Sequence, residues 1–394
     1  MPRPRIAIAG AGIGGLTAAL ALARRGFPVA LYEQAERLEE AGAGIQLSPN
    51  ATRILIALGL GPALQESLVE PEAVVLRRGA DGREIVRLPL DGARQRWAAP
   101  YGVIHRADLQ ALLLAAIARE DSVTLTLGAR VATLSQDEDG VAIGIEQGAD
   151  RVTARAEALV GADGLWSRVR AGLGRHAPPV FAGKRAWRAV LASEAGPAWL
   201  SRPVTTLCLG SQAHLVAYPV RGGRALNLVV IARDGDARAG WSEPMPGDRL
   251  AGRLAGWSAE IRAMLGRHEA WRTWPLFEVP SDAAMAQGRV ALLGDAAHAM
   301  LPFIAQGGGM AIEDAAELAA WLGREEAPIS ESLAAFSRNR LPRVARVQRE
   351  ARANGARYHW GGALALARDA GLRLVGGPAL LSRYDWLYGW TPPA

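Results

Sequence analysis

Residues 10–15 read Gly-Ala-Gly-Ile-Gly-Gly, directly after an apolar run of β character, Arg5–Ala9, and before a helix-forming run, Leu16–Arg25, that stops at Gly26. A second β-type run, Val29–Glu33, follows. A G-x-G-x-x-G between a strand and a helix marks the opening of a dinucleotide-binding β-α-β unit. Gly10 permits the tight turn, Gly12 lets the backbone approach a pyrophosphate, and Gly15 lets the helix pack close to the strand. Glu33 closes the second strand, where a carboxylate can hold a pair of ribose hydroxyls. With Gly14 these residues form the candidate dinucleotide site.

The rest of the chain must be compatible with that opening. At 394 residues it is long enough for two domains. Half of the residues are hydrophobic and 21% are charged, which excludes a disordered chain. Cys208 is the only cysteine, so neither a disulfide framework nor a cysteine-based metal cluster is available, and the six histidines have no zinc-like spacing. The absence of a targeting segment is read as a cytoplasmic location. The formal charge is +6, and Lys184 is the only lysine. The arginines at 340, 343, 346, 349 and 352 retreat around a helix by about 60° per step, so they predict a solvated helix rather than a nucleic-acid or membrane stripe. The apolar stretch 361–381 has helical spacing and predicts packing on a domain surface, with no integral membrane segment.

Further helices are expected over Asn50–Leu60 and Asp108–Arg119, and strands at Ala158–Gly161 and Val290–Gly294. Between about 180 and 285 the texture changes to β-type runs, among them Thr205–Leu209, His214–Pro219 and Leu226–Ile231, with Arg221-Gly222-Gly223 as a hairpin connection. The expected fold is α/β: a Rossmann-like binding domain over 1–70, 98–178 and 285–340, an inserted, mainly antiparallel sheet over 71–97 and 179–284, and C-terminal helices over 341–394.

Two later segments carry chemistry. Leu159-Val-Gly-Ala-Asp163-Gly164 precedes a helix start with Ser167 and Arg170, where Asp163 is either a cap or a ligand contact. Gly294-Asp295-Ala-Ala-His298 leads to Gln306-Gly307-Gly308-Gly309-Met310 and Glu313-Asp314. Asp295 at a strand end can accept hydrogen bonds from a polyol, and the glycines before a helix offer N–H groups to a negative charge.

With these motifs in place the chain resembles the single-component FAD-dependent aromatic hydroxylases over almost its whole length. It is most similar to the salicylate and 3-hydroxybenzoate hydroxylases, through Gly42-Ala-Gly44-Ile45-Gln46-Leu47, His105-Arg106-Ala-Asp108-Leu109 and Tyr384-Asp-Trp-Leu-Tyr-Gly. The resemblance implies bound FAD, with NADH or NADPH and O2 as co-substrates and a small aromatic molecule as substrate. Glu33 would bind the ADP ribose, Arg106 the pyrophosphate or ribityl chain, and Asp295 the ribityl chain. Gly44, Ile45, Gln46, Gly307, Gly308, Gly309 and Met310 would pass the flavin, and Asp163 would assist. His298 and Arg170 read as structural. In this family the reduced flavin captures O2 as a C4a-hydroperoxide, which oxygenates an electron-rich ring.

His214 and Tyr218 lie on one face of a strand, roughly 13 Å apart. The resemblance implies that this H-x-x-x-Y pair contacts a hydroxylated aromatic acid, joined by Gln306. His214 has a suitable ordinary pKa for a base that converts the phenol to phenolate. Relatives that act on hydroxynicotinate carry a histidine where Gln46 stands. Other readings are a hydroxylase of N-heteroaromatics or aromatic natural products and a non-catalytic FAD-binding redox sensor. A halogenase would need an active-site lysine and a W-x-W-x-I-P segment, and a serine hydrolase a G-x-S-x-G elbow; neither is present. The expected assembly is a monomer or a homodimer.

Overall fold

The structure is a computed structural model. It describes residues 3–38, 43–174, 177–200, 202–235, 243–266, 268, 270–281, 283–324 and 327–393. Gly42 lies outside the described residues.

The glycine fingerprint sits at the centre of a six-stranded sheet. Its order is Ala286–Gln287, Val290–Leu292, Ala158–Gly161, Ile6–Ala9, Val29–Tyr32 and Val123–Thr126, parallel except for the first edge pair. Ile6–Ala9 is buried along its whole length, as a central parallel strand must be. The helix Ile13–Ala23 follows the fingerprint and packs on the helix Gly307–Leu322. Both are rich in alanine and leucine, so the two backbones pack closely behind the sheet.

The second sheet has eight strands. Its order is Glu243–Pro246, Ala270–Glu278, Val180–Ala192, Ala225–Arg233, Ala213–Val220, Val204–Gly210, Ala73–Arg78 and Glu84–Pro89. All neighbours are antiparallel except Val204–Gly210 against Ala73–Arg78. The three strands read between 205 and 231 are present, each one or two residues longer at its ends. Arg221, Gly222 and Gly223 make the turn between two of them, all at positive φ. The alternation within Ala213–Val220 separates two faces. Leu215 and Ala217 pack with Leu250 and Ile261 under the helices Gly247–Arg253 and Ala259–Gly266. Leu207 and Leu209 face the other way and pack with Leu380, Leu381 and Leu387 of the C-terminal helices.

Some elements differ from the expectation. The helix read over 50–60 is regular only over Pro49–Leu55; it widens to a π turn over Ile56–Leu60, where Gly59 takes φ +75°, and a separate helix, Gly61–Ser67, follows with Pro62 in its first turn. A three-stranded sheet, Ala129–Gln136, Val141–Gln147 and Asp150–Ala156, covers one flank of the parallel sheet. The arginine-rich segment is a 30-residue helix, Ile329–Tyr358, but Arg340 is fully buried and Arg343 largely so. That corrects the expectation of a solvated helix: only Arg346, Arg349 and Arg352 are exposed. The stretch 361–381 forms two helices, Gly362–Val375 and Gly377–Ser382. No helix among the described residues is long and apolar enough to cross a membrane.

Candidate functional site

Two cavities hold the candidate site residues. The first is a cleft of about 550 Å³ above the carboxyl ends of the parallel strands, where an open α/β sheet binds its ligands. Gly10, Gly12, Glu33, Arg106, Arg130 and Asp163 line it. Gly10 has φ +99°, and a Cβ there would stand 2.4 Å from the Ala162 carbonyl oxygen. At Gly15 a Cβ would come 1.9 Å from the Gly10 carbonyl oxygen, so the helix could not start so close to the strand. Gly12 differs. A Cβ there would meet nothing within 4 Å of the protein, so glycine at this position leaves the backbone open to the cleft, as the approach of a pyrophosphate would need. Glu33 accepts hydrogen bonds from the Ala11 and Ala35 N–H groups at 2.7 and 2.9 Å, which fixes its carboxylate at the rim. Arg106 begins the helix Arg106–Ile117 with its side chain exposed in the cleft. The side chain of Asp295 is exposed as well.

Asp163 is committed differently. It accepts from the Ser167 hydroxyl at 2.5 Å and from the Arg168 and Val169 N–H groups at 2.7 and 3.1 Å, which caps the short helix Arg168–Gly172. Burial nevertheless pushes its pKa up, and these hydrogen bonds oppose that shift.

The second cavity measures about 580 Å³ and lies between the inner face of the eight-stranded sheet and the C-terminal helices. Val74, Leu76, Leu207 and Val216 form an apolar wall, and Gln46, His214 and Thr205 interrupt it. Thr205 Oγ1 is buried without a hydrogen-bond partner, a cost normally met by a ligand or water. Gln46 accepts from the Tyr101 hydroxyl at 2.7 Å. On the solvent side the lining carries Arg346, Arg357 and Arg383, all exposed, beside one acid, Glu350.

Gly44–Gln46 runs from the second cavity, which Gln46 lines, to Gly44 opposite His105, the residue before Arg106 of the first. Its strand, Gly44–Leu47, pairs with Gly102–His105, and the Gly44 N–H donates to Asn227 Oδ1 at 2.7 Å. A Cβ on Gly308 would stand 2.5 Å from Ile45 Cδ1, so the glycine turn and this strand meet closely. The residues expected along a flavin ring are thus gathered, except that Met310 is fully buried in the core and its N–H is bonded to the Gln306 carbonyl at 2.8 Å.

His214 lines the second cavity and is buried. Its Nδ1 lies 2.8 Å from His359 Nε2. Burial, the neighbouring His359 and the Lys184 ammonium hold its pKa well below the ordinary imidazole value. Tyr218 shares its strand face, but the two do not bracket one ring. Val216 lies between them on the cavity wall, and Tyr218 is turned against Gly44, whose Cβ would stand 2.9 Å from the Tyr218 hydroxyl. Tyr218 therefore belongs to the strand that borders the flavin line. Gln306 is bonded to its neighbours. Its amide donates to the Ser48 hydroxyl at 2.8 Å and accepts from the Asn50 amide at 3.1 Å, and it is buried away from the cavity lining.

A buried charge cluster braces both loops from behind. Arg340 Nε donates to Asp314 Oδ1 and its Nη1 to Glu313, each at 2.8 Å, with Glu317 at 3.5 Å. Asp314 Oδ2 accepts from the Gly294 N–H at 2.9 Å and pairs with His298 Nε2 at 2.6 Å. Glu313 also takes Arg343 and the Asn50 amide. Arg170 donates to the carbonyls of Ala296 and Leu165. His298 and Arg170 are framework residues, in line with their reading from sequence.

The sequence reading missed Thr205, Tyr101, His359 and the Arg340 cluster. Thr205 had a signal: it is the polar member of a face that continues as Leu207 and Leu209. Among the described residues no group of three or more side chains could hold a metal ion.

A glycine-lined cleft over a parallel sheet, with an apolar cavity under a second, mainly antiparallel sheet, is the arrangement a flavin-dependent oxygenase needs. Residues 3–351 match the family described as FAD binding domain, and the chain belongs to it. It is 37% identical over 389 residues to 3-hydroxybenzoate 6-hydroxylase 1 of Aquipseudomonas alcaligenes, covering 98% of this chain and 97% of that one. It is 35% identical over 392 residues to 3-amino-4-hydroxybenzoate 2-monooxygenase PtnB3 of Streptomyces platensis, covering 98% and 96%. Among solved structures, a salicylate hydroxylase substrate complex superposes with a TM-score of 0.84 at 25% identity, covering 99% of this chain and 96% of that one. HpxO of Klebsiella pneumoniae with FAD and uric acid superposes with a TM-score of 0.84 at 26% identity, covering 98% and 96%. The chain is an FAD-dependent monooxygenase of this family, and its cofactor is FAD.

Proposed function

We propose that the enzyme uses NAD(P)H and O2 to hydroxylate a phenolic aromatic acid of the 3-hydroxybenzoate or salicylate kind. The observation that carries this is the second cavity: an apolar slot for a ring, with a neutral imidazole in its wall and three exposed arginines against one glutamate on its solvent side. The excess positive charge favours entry of a carboxylate. FAD, once reduced, supplies activation of O2 for oxygen transfer to the ring. The chain supplies the rest. Glu33, Arg106 and Asp295 would hold FAD, Gly44–Gln46 and the glycines at 307–309 would border its flavin, and the apolar wall of the second cavity would exclude water. His214 Nε2 accepts the phenol proton, which makes the ring a better nucleophile. Entry of an anion opposes the Lys184 charge and makes His214 more basic when the proton must move.

The test is a panel of hydroxybenzoates and 6-hydroxynicotinate, with NADH and NADPH oxidation, product and H2O2 measured together. Coupled hydroxylation of a hydroxybenzoate is expected. His214→Ala should keep its FAD and its rate of flavin reduction but lose roughly 10²–10⁴-fold in hydroxylation, with H2O2 in place of product. Coupling only with the N-heteroaromatic acid, or no coupled oxidation with any acid, would refute this reading.

A further inference from the structure

We propose that His359 is the positioning residue for the base: it accepts the Nδ1–H of His214 and so turns the His214 Nε2 lone pair toward the cavity. The inference rests on the reading of His214 as the base. It adds a residue 145 positions away, at the end of the long helix, to the machinery of the inserted sheet.

The geometry carries it. His214 Nδ1 and His359 Nε2 are 2.8 Å apart, and the rings lie 5.1 Å apart at 43°. Phe303 and Tyr358 pack on the same imidazole at 5.3 and 5.4 Å, so its orientation is held from three sides. The backbone fixes the partner as well. The Gln212 N–H donates to the His359 carbonyl at 3.4 Å, from a turn in which Gln212 takes φ +64°, just ahead of the strand bearing His214. The helix end and the strand start are thus joined twice, by main chain and by imidazoles.

The charges around the pair decide its protonation. Lys184 faces both rings from the strand Val180–Ala192, Arg233 faces His359 from the strand Ala225–Arg233, and Glu278 offsets part of the Lys184 charge. Burial first, then Lys184 and Arg233, push His359 down to about 4. Near neutral pH both imidazoles are therefore uncharged, and two neutral rings at this distance share one N–H between them. If His359 held that hydrogen, His214 would present an N–H to the cavity and could not take a proton. If His214 donates it, His214 presents a lone pair. A neutral histidine sets which nitrogen is basic by what its other nitrogen bonds to, and here that group is His359. When the phenol transfers its proton to His214 Nε2, the O–H bond breaks, an N–H bond forms, and the new imidazolium keeps its Nδ1–H directed at His359.

Two variants and a pH profile test this with the FAD-loaded enzyme and whichever panel acid couples best. His359→Phe keeps the volume but removes the acceptor. Hydroxylation at pH 7 should fall by roughly 10–100-fold, with FAD content, flavin reduction and melting temperature unchanged and H2O2 replacing product. Raising the pH toward the phenol's own ionisation should restore part of the coupling, because phenolate then forms without a base. His359→Gln supplies a carbonyl acceptor and should stay within about threefold of wild type. Wild-type coupling in His359→Phe, equal losses in both variants, or a loss that alkaline pH does not relieve would overturn the proposal. If His214→Ala also couples like wild type, the base reading itself fails. If His214→Ala uncouples and His359→Phe does not, only the positioning role fails.

Discussion

Arg340→Met tests the most heavily invested charge in the structure. The guanidinium is fully buried and holds Asp314, Glu313 and Glu317. Breaking a buried pair by removing one partner costs about 3–5 kcal/mol, because the remaining charge stays buried. The lower end applies here. Glu313 keeps Arg343 at 2.7 Å and Asp314 keeps His298 at 2.6 Å, so Asp314 Oδ1 and Glu317 bear most of the loss. An unfolding entropy of about 2.1 cal/mol/K per residue over 394 residues makes 1 kcal/mol worth about 1.2 °C, so about 3 kcal/mol gives a fall in melting temperature of roughly 3–4 °C. FAD retention should fall with it, since Asp314 anchors the Gly294 N–H in a turn at φ +57° just ahead of Asp295. A pH signature separates charge from lost volume. In the wild type, burial alone would raise the Asp314 pKa, but His298 and Arg340 bring it down to about 2. A depressed carboxylate contributes stability above its unfolded pKa and loses it as pH falls through the folded value. Without Arg340 the burial effect gains, the carboxylates titrate higher, and protonation relieves the destabilisation. The deficit against wild type, followed by differential scanning fluorimetry, should therefore shrink from pH 7 to pH 5. A variant melting within about 2 °C of wild type at pH 7, or a deficit that does not change with pH, would refute the reasoning.

Asp295→Ala should weaken FAD binding by roughly 10–100-fold, measured by flavin fluorescence on titration of apoprotein, since a charge-assisted hydrogen bond is worth about 1.5–3 kcal/mol; unchanged affinity removes Asp295 from the site. Lys184→Met should raise the pKa of His214 and move the acid limb of the hydroxylation profile to higher pH. The base acts unprotonated, and Lys184 is one of the groups that lower its pKa; a limb that stays in place, with the coupling ratio read at each pH, would exclude Lys184 from setting it.

The glycine fingerprint was legible because its constraints are local. Gly10 needs its φ, Gly15 needs the space, and both follow from a strand turning directly into a helix. The sheet strands between 205 and 231 were legible for the same reason, since period-two alternation is a property of one strand facing one core. Arg340 was not legible from its own helix. A spacing of three describes where arginines point around an axis but says nothing of what packs there, and the deciding residues lie on the helix Gly307–Leu322. That helix gave a usable signal: Glu313, Asp314 and Glu317 interrupt an otherwise alanine- and leucine-rich surface, and acids at those positions require a buried cation. The three-stranded sheet over 129–156 also carries alternation in Ala129–Gln136 and Val141–Gln147, a pattern as local as that of the strands between 205 and 231.

Gln306 also has a structural duty. Its position before the glycine turn suggested a substrate contact, yet a glutamine beside Ser48 and Asn50 satisfies its amide on them, and Asn50 in turn bonds Glu313. Gln306 therefore ties the glycine turn to the helix Pro49–Leu55 and, through Glu313, to Arg340 and Arg343. The same chain of bonds explains why the flavin line can be built from loops at all. Gly44–Gln46 is held by Asn227 and Tyr101, Gly294 by Asp314, and the glycine turn, through Gln306, by Ser48 and Asn50. Each loop is fixed by a buried polar partner from a different element, so its position is set by the rigid sheets and helices behind it. A site that must keep a reactive flavin intermediate away from water needs that rigidity on the flavin side. The cavity side is different. His214 is fixed by a residue at the end of the C-terminal helix, and the arginines on the solvent side belong to the helical region alone. Arg340 and Arg343 tie the long helix to the flavin side, so substrate choice is free to change only beyond it; exchanging residues 359–383 between relatives with different aromatic acids should transfer substrate preference without altering FAD affinity, and an unchanged preference would refute this division of the site.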